Sequence, residues 1–114
     1  MRAKILNASA GSGKTYQLAY KYVRDVIDQP GLYRHILAVT FTNKATEEMK
    51  SRILKEIHRL ASGGASPYLG NLCRELSLDE RSVRKRAAEV RSKILHDYSR
   101  FTVLTIDTFF QRIL

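Results

Sequence analysis

The sequence predicts an α/β fold: a parallel sheet flanked by helices. Two observations carry this. Strand-length runs at Ala3 to Ala8, Ile36 to Phe41 and Phe101 to Ile106 alternate with longer stretches whose apolar residues recur at three-to-four spacing. The second run, ILAV, has no polar alternation, which is how a strand covered on both faces reads, and helices between strands are the right-handed crossovers that parallel pairing needs.

The elements follow in order. After the first strand, Leu18, Ala19, Tyr22, Val23, Val26 and Ile27 form a helical stripe that Pro30-Gly31 stops. Thr42 and Asn43, beyond the second strand, are good caps for a helix carrying Glu47 and Glu48 near its positive end. Ala45, Met49, Ile53, Ile57 and Leu60 line that helix, and Ser62-Gly63-Gly64 ends it. Positions 62–76 are the least regular. Ser77 and Glu80 have capping-box spacing and open a third helix with Val83, Ala87, Val90, Ile94 and Tyr98 inward. Arg81, Arg84, Lys85, Arg86, Arg91 and Lys93 surround that stripe; with Glu80 and Glu89 interrupting the run, a solvated face is at least as good a reading as a DNA guide. A last helix begins near Asp107 or Thr108, and the chain stops inside it, so a fragment is expected.

The chain has 114 residues, 44% of them apolar, enough for one domain with a real core. Lys and Arg number 20 against 11 Asp and Glu, a formal charge of +9 that raises the odds of a polyanionic partner. Cys73 stands alone, which excludes an intrachain disulfide and a thiolate zinc cluster, and it reads as a half-buried packing residue. His35, His58 and His96 lack ligand spacing. The N-terminal MRAKILNAS is too short in its apolar run for a signal segment or a membrane span, so a cytoplasmic chain with no membrane partner is expected.

Chemistry concentrates in two motifs. Ala8-Ser9-Ala10-Gly11-Ser12-Gly13-Lys14-Thr15 follows a strand, opens a helix and fits the phosphate-loop pattern G-x-x-x-x-G-K-[ST], with Ala8 in the first glycine position. Gly11 and Gly13 let successive N–H groups face a phosphate, and the helix adds its positive end. Lys14 is the catalytic candidate at the β- and γ-phosphates, and Thr15 is the ligand candidate for Mg²⁺. ATP and Mg²⁺ are the expected cofactors. Tyr16 and Tyr20 lie close enough to approach a base, though such tyrosines are more often half-buried core residues.

The second motif, VTFTNKATEEMKSR at Val39–Arg52, closely resembles motif Ia of the UvrD/Rep-like superfamily I DNA helicases. Together with ASAGSGKT and the closing TIDTFFQRIL it is most similar to the branch of the RecB and AddA helicase–nucleases. The matching stretches are about positions 5–15, 38–53 and 102–114; positions 62–98 match nothing comparable and read as a helical insert. The resemblance implies a P-loop NTPase with a RecA-like parallel sheet flanked by helices, here incomplete, with residues 1–114 as the N-terminal part of the ATP-binding motor domain. It implies a motor that walks along single-stranded DNA by hydrolysing ATP. Phe41 would stack on a base, and Thr42, Asn43 and Lys44 would meet the sugar–phosphate backbone. An aromatic platform with phosphate-friendly groups beside it suits that task, though a buried Phe41 behind a plain helix cap fits the spacing too.

Asp107 departs from the family pattern, which often carries histidine there. It reads as a helix cap with DNA contacts from Thr105, Thr108 and Phe109 nearby, as a cap with no DNA role, or as a Walker B carboxylate. Thr108 stands where a Walker B site would have its second acid. The first eight residues contain no glutamine to read adenine, and the Asp79-Glu80 pair opens a charged helix instead of following a buried strand. The family's second motor domain, with its arginines, would be a partner, as would a separate nuclease chain. The isolated chain is therefore expected to bind Mg·ATP weakly and to hydrolyse it negligibly. Two alternatives stay open: a small P-loop kinase with Asp107 as its Walker B residue, and a nucleotide- or DNA-binding module without turnover.

Overall fold

A computed structural model describes the backbone of residues 4–7, 12–40, 42–98, 102–105 and 111, and the side chains of 16–33, 40, 42–98 and 111. The elements are β1 (Lys4–Asn7), α1 (Ser12–Asp28), a 3₁₀ turn (Pro30–His35), β2 (Ile36–Thr40), α2 (Asn43–Ser62), α3 (Leu69–Leu76), α4 (Glu80–His96) and β3 (Thr102–Thr105). β1 pairs in parallel with β2, Lys4 opposite Ile36 through Asn7 opposite Val39. β2 pairs in parallel with β3, Leu37 opposite Thr102 through Thr40 opposite Thr105.

The expected RecA-like sheet flanked by helices needs correction. The three strands lie in chain order, β1-β2-β3. Two crossovers of the same hand that step the same way put their helices on one face, and α1 and α2 do pack on each other. The order never reverses, so the described residues contain no topological switch point of the kind a doubly wound sheet uses for its ligand. The chain is mainly helical: helices of 17, 20, 8 and 17 residues stand beside strands of 4, 5 and 4. The described apolar core is built by helix against helix, with Tyr22, Val23 and Ile27 of α1, Met49, Ile53 and Leu60 of α2, and Val83, Ala87 and Val90 of α4 all fully buried. The apolar stripes of α2 and α4 meet each other.

Ends of helices account for most of the local differences. Thr42 caps α2 as expected, its hydroxyl oxygen accepting the Ala45 N–H at 3.0 Å. Gly63 closes α2 at φ 84°, a left-handed position where glycine carries no Cβ penalty. Ser77 does not open α4. It closes α3 at φ 54°, and Asp79 caps α4 by accepting the Ser82 N–H at 2.8 Å. Hydrogen bonds from the Ser82 side chain and then from its backbone hold the Asp79 carboxyl below its ordinary range. The irregular composition of 62–76 conceals α3, whose Leu72 reaches the core. Tyr98, expected inward, is half exposed because α4 ends at His96, before the next turn of the stripe. Cys73 is half-buried against the core.

Candidate functional site

Strand register decides where the candidate segments meet. β1 and β2 are parallel, with Asn7 opposite Val39, so the glycine-rich stretch after β1 and the turn after β2 leave the same end of the sheet. Thr105 lies opposite Thr40 at that end too. Asn7, Thr40 and Thr105, far apart in sequence, therefore end adjacent strands on the same side of the sheet.

α1 begins at Ser12, which puts Gly13, Lys14 and Thr15 in its first turn, where backbone N–H groups have no partner inside the helix. That turn holds no acidic residue to oppose an anion, and neither does the first turn of α2. Ala8, Ser9, Ala10 and Gly11 lie outside the described residues, as do Phe41, Asp107, Thr108 and Phe109. Thr42, Asn43 and Lys44 are exposed at the N-terminus of α2. The donor set suits a magnesium-bound polyphosphate: a helix N-terminus without acids, an ammonium-bearing residue and a hydroxyl-bearing one in the same turn.

One turn further along α1, Tyr16 and Tyr20 meet Tyr68 edge-to-face, each pair with ring centroids 5.2 Å apart. The Arg52 guanidinium lies 5.2 Å from the Tyr16 centroid, and the Tyr68 hydroxyl donates to the Tyr16 carbonyl at 3.1 Å. Tyr20 bonds Glu75, which Arg24 also reaches at 3.3 Å. A cleft of ≈ 290 Å³ opens between these rings and Lys21, Asn71 and Gln17. Tyr68 sits in the irregular stretch where no periodicity announces it; only its bulk among glycines and serines could have.

Burial raises the phenol pKa of Tyr68 to about 12 and pushes Tyr20 and Tyr22 above the ordinary tyrosine value as well. A raised pKa in the fold means that the neutral phenol is favoured there. This stability is complete below the unfolded value of 10.0 and is lost as pH rises through about 12. Titration upward should show part of the tyrosinate absorbance delayed until helical circular dichroism is lost. Complete ionisation at about pH 11 with the helices intact would contradict the buried cluster.

The basic face of α4 has a definite use. The Arg84 Nη1 donates to the carbonyls of Leu60 at 3.1 Å, Gly64 at 3.0 Å and Arg59 at 3.4 Å, at the C-terminal end of α2. Arg86 Nη1 donates to Asp28 at 2.9 Å and Ile27 at 3.3 Å, at the end of α1. Leu60, Ile27 and Asp28 lie in the last turns of their helices, whose carbonyls form the negative pole, and Gly64 lies just past the end of α2. Arg91 reaches His58 Nδ1 at 3.1 Å.

With the carboxyl ends of β1, β2 and β3 on one side of the sheet, the family comparison is decisive: the model for the UvrD/REP helicase N-terminal domain matches residues 2–114. The chain belongs to the UvrD/REP helicase family. It is 31% identical over 119 aligned residues to the RecBCD enzyme subunit RecB of Escherichia coli K12, an alignment covering 97% of this chain and 10% of RecB. RecB of Chlamydia trachomatis is 32% identical over 86% of the chain and 11% of its own length. An ATP-dependent helicase/nuclease subunit of Lactobacillus delbrueckii is 43% identical over 43% of the chain and 4% of that protein. The chain thus spans about a tenth of the RecB relatives it matches. No solved structure matches it significantly. Among the described residues no helix is long and apolar enough to cross a membrane, and no cluster of His, Cys, Asp and Glu could hold a metal ion.

Proposed function

We propose that this chain is the ATP-binding part of an ATP-dependent DNA helicase or translocase acting on single-stranded DNA, in recombination or repair. The observation that supports this is the strand register, which ends β1 and β2 side by side, each just before one of the two motifs. Residues Ala8 to Thr15 hold the nucleotide: backbone N–H groups take the phosphates, Lys14 neutralises the β- and γ-oxygens, and the Thr15 hydroxyl ligates Mg²⁺. Mg²⁺, when bound, supplies charge neutralisation between the phosphates. Phe41, Thr42, Asn43 and Lys44, with Thr105, Thr108 and Phe109, hold single-stranded DNA. Thr42 keeps its hydroxyl proton for a phosphate while its oxygen caps α2.

Turnover needs more than this. An in-line attack requires a carboxylate to orient water and a cation at the leaving oxygens, and both belong to the remainder of the helicase, including a second motor domain. A nuclease partner fits the same setting, since the relatives include a helicase/nuclease protein.

The test is Mg·ATP binding and hydrolysis by the folded chain, with and without single-stranded DNA. Binding of a fluorescent ATP analogue, weakened at least about tenfold in Lys14→Ala, with no turnover, is the expected result. DNA-stimulated turnover that disappears in Lys14→Ala would place the catalytic carboxylate within this chain and overturn the division of labour proposed here.

A further inference from the structure

The turn between β2 and α2 contains a ring of three threonine oxygens. Thr40, the last residue of β2, is fully buried, and Thr46, in the first turn of α2, is 7% exposed. Their hydroxyl oxygens are 2.5 Å apart. Each also reaches the Thr42 carbonyl, Thr40 Oγ1 at 3.2 Å and Thr46 Oγ1 at 3.0 Å. Two hydroxyl protons thus serve three contacts. Each buried hydroxyl thus has an acceptor in reach, the Thr42 carbonyl or the neighbouring hydroxyl.

Helix formation does not need this ring. The Thr42 cap and the Thr46 N–H bond to the Thr42 carbonyl, at 3.0 Å, already start α2. Valine would fill the same buried volume at positions 40 and 46, without the cost of burying two hydroxyls. What the hydroxyls add is a fixed link from strand end to cap to helix, spanning position 41 from both sides.

We propose that Thr40 and Thr46 are positioning residues: their paired hydroxyls fix the placement of Thr42, Asn43 and Lys44 for single-stranded DNA. This rests on the DNA-binding reading given under the proposed function.

The experiment uses the whole 114-residue chain and a fluorescein-labelled oligothymidylate, read by anisotropy at one salt concentration. The variants are T40V/T46V, T40S/T46S and Lys44→Ala. Replacing both members of a hydrogen-bonded pair by apolar groups of the same shape is close to neutral for stability. T40V/T46V should therefore melt near the wild-type temperature yet bind about fivefold to tenfold more weakly. T40S/T46S, which keeps both hydroxyls, should retain wild-type affinity. Wild-type affinity in a folded T40V/T46V, with Lys44→Ala weakened, overturns this inference alone. So does a folded serine pair that binds about fivefold to tenfold more weakly than wild type, a result that can be read even if the valine pair fails to fold. Equal binding by wild type and Lys44→Ala overturns the DNA reading, and this inference with it.

Discussion

Replacing Ile53 by alanine is expected to lower the unfolding free energy of the chain by about 2–5 kcal/mol. Ile53 is fully buried on the face of α2 that meets α4, among Met49, Ile57 and Leu60. Truncation removes apolar area and leaves a void that close-packed neighbours on two helices cannot fill without moving both. A domain of this size has only about 5–15 kcal/mol in total. Urea unfolding followed by circular dichroism should show a lower midpoint at unchanged slope. An unchanged midpoint would mean that the α2–α4 contact is not where the core lies.

Arg84→Met is expected to cost about 1.5–3 kcal/mol, the range for hydrogen bonds to a charged donor. Methionine keeps an unbranched apolar stem but removes a guanidinium that serves carbonyls of Arg59, Leu60 and Gly64. Arg84 is 21% exposed in its side chain, and its exposed ion pair with Glu80, at 3.6 Å, contributes little beside those bonds. Arg84→Lys should recover part of the loss, since an ammonium can sit at the same negative helix pole without the guanidinium's fork. Hydrogen exchange gives the sharper check: amides in the last turn of α2 should exchange faster in Arg84→Met while those of its first turn do not. Equal exchange at both ends would separate Arg84 from the capping role.

Local elements were the most legible part of the sequence. Every residue of the α1 stripe, Leu18 to Ile27, is buried, because periodicity reports a face directly. The cap at Thr42 and the stop at Gly63 follow from local chemistry in the same way. The layer arrangement was not legible, because the ILAV run is equally apolar whether one face or both are covered by helices. Strand order depends on contacts between positions dozens of residues apart, and no local pattern encodes that. Ser77 misled because a serine three residues before a glutamate signals a helix start, while Asp79, two positions later, could serve as well. Of the candidate site, motif spacing pointed to Lys14, Thr15 and the Thr42–Lys44 turn. The roles of Arg84 and Arg86 were hidden because a charge run looks the same whether it faces water or the end of a neighbouring helix.

The grip of α4 on two helix ends has a mechanical meaning. α1 and α2 extend about 25 and 30 Å from the sheet end where they begin. Their far ends are held by Arg86 and Arg84, two positions apart on one rigid rod. α4 is thus a yoke: a push along one helix axis loads the other through a shared crossbar, so the two arms shift together or the crossbar must let one of them go.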